Sequence, residues 1–197
     1  YTMKTDGSDV RRLTYNSARD VSASWAPDGS QIAWMSDRSG RFEIWLMNSD
    51  GSNQHQFTSV DAPSLGTHWF PQWSPDGEYL AFHVGRDVHT VRTNGSDYTR
   101  LTADPDNGMV PSWTPEGHLV FMSWRAGATE IYTMSADGSD VVRLTDTEMG
   151  ESIDPRVSPD GSKIVYTWVP AGGAGSKYLM LMNIDGTDVK QLNETAR

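Results

Sequence analysis

The chain has 197 residues, a net charge of −10, eight tryptophans and no cysteine. Its length suits one packed domain, the missing cysteine excludes disulfides, thiolate metal sites and thiol nucleophiles, and an acidic balance without a Lys/Arg cluster argues against nucleic acid as a partner. No apolar run approaches the ~18 residues of a spanning helix, so no membrane insertion is expected.

In chain order, residues 1–14 read as two short strands around Asp6-Gly7-Ser8, the second ending in Leu13-Thr14. Residues 15–58 then read as four strands. The first runs into Trp25-Ala26-Pro27-Asp28-Gly29, the second covers 31–34 and the third covers 43–47. After Asp50-Gly51-Ser52 the fourth ends in Phe57-Thr58. Residues 59–102 repeat this, with a long entry loop at 59–68, Trp73-Ser74-Pro75-Asp76-Gly77, a short connection at 84–87, Asn94-Gly95-Ser96 and a terminal Leu101-Thr102. Residues 103–145 give Trp113-Thr114-Pro115-Glu116-Gly117, a third strand at 130–134, Asp137-Gly138-Ser139 and Leu144-Thr145. Residues 146–194 give Val157-Ser158-Pro159-Asp160-Gly161, a long connection at 168–177, a third strand at 178–182, Asp185-Gly186-Thr187 and Leu192-Asn193.

Two landmarks share one period. The turn prolines step by 48, 40 and 44 residues, and the Asp/Asn-Gly turns by 44, 44, 43 and 48. Pro presets φ for the start of a type I turn, and the following Gly takes the left-handed position that closes a hairpin with a bulge. Asp-Gly and Asn-Gly between apolar runs are strong hairpin signals. No segment keeps a helical period. Four-stranded units of this length predict an all-β protein, a β-propeller of antiparallel blades. The expectation is a single domain over 1–197 with four complete blades (15–58, 59–102, 103–145, 146–194) and half a blade at 1–14. Unpaired strand edges invite association. Two completions of the ring follow: the chain is part of a longer protein, or a second copy supplies the missing strands as a homo-oligomer.

The run Trp73-Ser74-Pro75-Asp76-Gly77 with Leu80-Ala81-Phe82, and the run 32–40 followed by Glu43-Ile44-Trp45 and Met47-Asn48, resemble the TolB-like propeller family. The resemblance covers essentially the whole chain, although such propellers usually have six blades. It implies a periplasmic or secreted location in the bacterial envelope and a non-enzymatic scaffold with a protein or peptide partner. Similar blades in oligogalacturonate lyases and in the propeller of prolyl-oligopeptidase-like enzymes keep a carbohydrate-active protein and a peptidase propeller as alternatives.

The proline and glycine turns hardly vary between copies, whereas the connections at the opposite end differ in length and content. Divergent loops on a rigid scaffold are where binding specialises. Candidate ligand-binding residues at that end are Asp20, His68, Trp69, Asp106, Asn107, Glu151 and Asp154. Arg38, Trp124 and Arg125 lie further out, together with Asp37 and Trp168 in outer loops. Trp69 shares the register of Val21, Met109 and Ile153, which also suits packing between blades, while Trp25, Trp73 and Trp113 recur and read as core aromatics.

The five histidines are scattered over registers that do not match metal-ligand spacing. The Asp104–Gly108 stretch carries too few oxygen ligands for a calcium loop. Gly-x-Ser-x-Gly is absent, and the glycines at 172–175 lack the Lys-Ser/Thr of a phosphate loop. No cofactor, metal or catalytic residue is expected.

Overall fold

The computed structural model describes residues 1–58, 67–103, 107–147, 149–172 and 176–193. Their strands form four separate antiparallel sheets, each with its four strands in sequence order. The first blade is β1 (Asp20–Trp25), β2 (Gln31–Ser36), β3 (Glu43–Asn48) and β4 (His55–Gln56). The second is β5 (His68–Trp73), β6 (Tyr79–Val84), β7 (Asp87–Arg92) and β8 (Thr99–Arg100). The third is β9 (Met109–Trp113), β10 (Leu119–Ser123), β11 (Glu130–Met134) and β12 (Val142–Arg143). The fourth is β13 (Gly150–Val157), β14 (Lys163–Pro170), β15 (Tyr178–Asn183) and β16 (Lys190–Gln191). The first strands of successive blades touch one another, whereas the two-residue outer strands make their main contacts within their own sheet. This is the radial order of a propeller, with β1, β5, β9 and β13 innermost.

Both turn predictions hold, with an addition. In the proline turns the Gly29, Gly77, Gly117 and Gly161 amides donate to the carbonyls of Ala26, Ser74, Thr114 and Ser158 at 2.9–3.0 Å, and each glycine has positive φ. The second turn starts earlier than Asp-Gly: the Gly51 amide donates to the Asn48 carbonyl at 2.9 Å, and Asp50 Oδ1 accepts the Ser52 amide. Two residues beyond each such glycine, Asp9, Asn53, Asp97, Asp140 and Asp188 all have φ of 54–55°. Asn and Asp tolerate the left-handed region better than other side chains, which accounts for the residue type at this register.

A second left-handed register lies on the inner strands. Ser22, Phe70, Val110 and Asp154 have φ of 52–54°. The pairing of each inner strand with its neighbour slips there, between Val21 and Ser24, Trp69 and Gln72, and Ile153 and Arg156, with the matching slip in the third blade. A bulge of this kind bends the strand and re-aims the next side chains.

The recurrent Leu-Thr has two jobs. Thr58, Thr102 and Thr145 Oγ1 each accept the amide of Ile44, Val88 or Ile131 at 2.9 Å. The same hydroxyls donate to Glu43, Asp87 and Glu130 at 2.7, 3.3 and 2.5 Å. Outer strand and third strand are thereby locked by a charge-assisted pair. The leucine docks against the next blade: Leu13, Leu101 and Leu144 pack on Gly51, Gly138 and Gly186. At Gly186 an added Cβ would stand 2.6 Å from the Leu144 carbonyl oxygen, so no side chain fits.

Each seam between blades has its own apolar cluster. Ala33, Ile44 and Leu80 fill the first, Leu119, Phe121 and Met134 the second, and Val120, Ile131 and Ile164 the third. The hairpin at 1–14, tied by a Thr2–Arg11 bridge, packs Leu13 on Ile32, Trp34 and Met47.

The repeated tryptophans are not equivalent. Trp73 and Trp113 donate Nε1 to the Ser24 and Gln72 carbonyls of the preceding inner strand, both at 3.2 Å, and Trp73 is 8% exposed. Trp25 is 51% exposed, contrary to the core reading, because the hairpin before it contributes no inner strand to receive it. A cavity of about 350 Å3 lies there, lined by Tyr1, Leu13, Val21, Trp25 and Trp34 among others. Trp168 also departs from the sequence reading. It belongs to β14, paired with Ser152 and Tyr178, because β13 and β14 run longer than their counterparts.

Candidate functional site

The site is assembled from the starts of the inner strands and the second-to-third-strand turns. In the first blade Asp20 Oδ1 accepts Trp34 Nε1 and Arg38 Nη2, both at 3.0 Å. The Arg38 guanidinium lies 5.3 and 4.6 Å from the Trp34 and Trp45 rings and donates to Gln54 Oε1 and Ser36 Oγ. Burial alone would raise the Asp20 pKa, but hydrogen bonds from Ser36, Arg38, Trp34 and Thr14 outweigh it and hold the carboxyl below its ordinary value.

The third blade repeats this device. Arg125 stacks on Phe121 and Tyr132 at 5.3 and 4.9 Å and donates Nε to Ser123 Oγ at 3.1 Å. Asn107, one residue before the register of Asp20, accepts the Ser123 hydroxyl on its carbonyl and the Trp124 amide on its side chain. Arg38 and Arg125 therefore brace their own turns against aromatic pairs. Trp124 is covered by Arg86 of the second blade, 5.1 Å from its ring. Asp106 lies outside the described residues, as do 59–66 of the long entry loop and 173–175.

The second blade differs. Its turn is only Gly85-Arg86, and among the described residues no arginine stacks on the Phe82/His89 pair. His68 sits there instead, wholly buried, 5.3 Å from the Phe82 ring, with Tyr98 over His89 on the other side at 5.2 Å. His68 Nδ1 comes within 2.8 Å of Glu43 Oε2 but too far off the N–H axis for a well-formed hydrogen bond. Burial keeps His68 below its ordinary pKa despite Glu43, and burial brings His83 and His89 to about 4. In this conformation His68 offers no surface to a ligand.

Exposed chemistry gathers around Trp69. Its half-buried ring lies 5.2 Å from Phe42 and 6.4 Å from Phe70, and its Nε1 donates to Thr67 Oγ1. Arg19, paired with Asp37 at 2.7 Å, caps Phe42 at 4.7 Å. Phe70 continues the line inward, and the Arg156 guanidinium stands 6.0 Å from its ring. On β13, Glu151 and Asp154 are exposed; Glu151 accepts the Thr129 hydroxyl at 3.2 Å. The structure thus joins Asp20 with Arg38, and Asn107 with Trp124 and Arg125, while Trp69 on the second blade stands apart from Glu151 and Asp154 on the fourth. The sequence reading missed Phe42, Phe70 and Arg156. The last was open to discovery, since the registers it shares hold Ser24, Gln72 and Ser112.

Among the described residues no group of three or more His, Asp or Glu is placed to hold a metal ion, and no helix is long and apolar enough to cross a membrane. The TolB beta propeller domain model matches residues 63–197. The chain belongs to the TolB β-propeller family. A TolB homolog of Chlorobium chlorochromatii is 33% identical over 141 residues, 70% of this chain and 31% of that protein. The Tol-Pal system protein TolB of Anaeromyxobacter dehalogenans is 33% identical over 119 residues, 57% of this chain and 26% of its own length. The crystal structure of TolB from Acinetobacter baumannii superposes with a TM-score of 0.82 at 24% identity, over 99% of this chain and 48% of that one. The chain therefore spans about a third of the first relative and about half of the solved TolB.

Proposed function

We propose that this chain is a non-enzymatic recognition module of the bacterial envelope, periplasmic or secreted, which binds a protein or peptide partner at its loop end. One observation carries the reading: Trp69 and Phe70, packed in line with the buried Phe42, are exposed in part at that end, and the fourth blade presents exposed Glu151 and Asp154. Aromatic anchors with a polar rim are the usual anatomy of a protein interface. At the opposite end every aspartate is spent on its own turn, as Asp50 on Ser52 and Asp137 on Ser139. A relative that carries the Tol-Pal name adds support for a protein partner.

A photo-crosslinking residue at position 69 or 151, in cells that make the protein, is expected to trap one and the same partner. The same residue at position 50 or 137 is expected to trap none. Adducts confined to positions 50 and 137 would overturn the reading. So would cleavage of polygalacturonate or of peptides by the purified chain, which would return it to the carbohydrate-active or peptidase alternative.

A further inference from the structure

The inner strands carry a single cation. β1, β5, β9 and β13 read DVSASW, HWFPQW, MVPSW and GESIDPRV, and Arg156 is their only Lys or Arg. It follows the left-handed residue Asp154 and Pro155, so the bulge sets the direction of its side chain. The guanidinium lies over Phe70 of β5, although β9 stands between β13 and β5 in the blade order. A side chain reaches past an intervening inner strand only on the concave, axial side of the arc. Arg156 therefore points into the central channel.

Its hydrogen bonding is half complete. Nη1 donates to the Pro155 carbonyl at 2.8 Å, and no hydrogen bond within the described residues engages Nε or Nη2. Asp154 acts on it only through space, and burial lowers its pKa from the ordinary value. A half-buried cation with no ion-pair partner among the described residues, in a protein of net charge −10, is an unusual allocation. The open Nε–Nη2 edge is the one that matches both oxygens of a carboxylate, and the Phe70 face beneath it is apolar.

We propose that Arg156 anchors a carboxylate of the partner, an Asp or Glu side chain or a chain-terminal α-carboxylate, on a segment that enters the central channel over Phe70. The proposal rests on the recognition reading above and names the chemistry of the partner. Phe70 supplies the apolar platform, and the acidic surface disfavours anionic segments elsewhere, so recognition is confined to this point.

The direct test is the Arg156 Nε–H signal of the 15N-labelled chain during titration with sodium acetate, against sodium chloride at equal ionic strength. A saturable shift with acetate alone supports the site; equal shifts with both salts overturn it. Three tryptophan-containing hexapeptides then separate the sources: one with internal glutamates and an amidated end, one with glutamines and a free end, and one with glutamines and an amidated end. One of the first two is expected to bind at least about tenfold more tightly than the third, the scale of a two-point guanidinium–carboxylate pair.

R156Q is expected to abolish that difference, and R156K, which keeps the charge without the fork, to leave only a small part of it. Unchanged carboxylate preference in a folded R156Q protein would overturn the proposal. If R156Q does not fold, R156K and the acetate titration decide. Crosslinks at positions 69 and 151 that persist at full yield in R156Q would sink this anchor and leave the recognition reading intact. An acetate response without any crosslink would do the reverse.

Discussion

Lowering the pH from 7 to 5 should weaken this fold through two histidines of the second blade. His83 and His89 are 3% and 6% exposed. His83 faces the Phe70 ring, accepts the Val110 amide on Nδ1 and lies near enough to His89 for their charges to interact. His89 is enclosed by Phe82 and Tyr98, with Asp87, Arg100 and His68 around it, and its Nδ1 has no partner. Burial places both pKa values at about 4, against 6.5 for the free side chain. Between those limits the unfolded chain binds more protons than the folded one. Stability is therefore full above pH 6.5 and falls as the pH drops toward 4. Integrated from pH 7 to 5, the loss is about 2 kcal/mol per histidine, or about 4 kcal/mol together as an upper figure. With a urea slope of about 2–3 kcal/mol/M, the unfolding midpoint should fall by about 1–2 M. The matched control replaces each histidine by what other blades carry at its register, His83→Met as at Met35 and Met122, and His89→Tyr as at Tyr132. The double variant should lose most of the pH dependence. An equal fall in midpoint for both proteins, or histidine signals that titrate near pH 6.5 in the folded protein, would refute the reasoning.

Three further outcomes are expected in the same urea assay at pH 7. Thr58→Val strips the Ile44 amide and the buried Glu43 carboxylate of a partner and should cost about 2–3 kcal/mol, whereas exposed Thr99→Val should change stability by less than about 0.5 kcal/mol. Gly186→Ala should be clearly worse than Gly117→Ala: both have positive φ, for which about 1–2 kcal/mol is expected, but only at Gly186 does the new methyl strike a backbone oxygen. Trp73→Ala should cost about 3–5 kcal/mol and Trp25→Ala much less, since one ring is buried in a seam and the other is half exposed.

The blades were legible because Pro-Asp-Gly and Asp-Gly-Ser turns are decided by local backbone preference, which sequence records directly. The strands share one register across blades, so Trp45, His89 and Tyr132 stand at equivalent places on the third strands. What sequence hid depended on neighbours. The threonine of Leu-Thr reads as a strand end, and its bond to Glu43 exists only once β3 and the residues after β4 lie side by side. Trp25 looks identical to Trp73, yet its burial is decided by the element packed before it. Trp168 read as loop because the glycines beyond it dominated the segment, while the extended pairing with Ser152 is a property of two strands. At the candidate site, Arg38 and Arg125 stood out as loop cations, but their attachment to aromatic pairs requires the third strand. The left-handed Asp/Asn register was visible in principle in Gly-Ser-Asp and its variants, where one residue type recurs two places after each glycine.

The leucines that residues 1–14 and the second and third blades lodge beneath the following turn, at Gly51, Gly138 and Gly186, tie each of those units to its immediate neighbour. Such a chain behaves as a row of coupled springs. A fault in one seam loosens two blades and fades beyond them, and amide exchange should be slowest in the middle sheets and faster toward both ends.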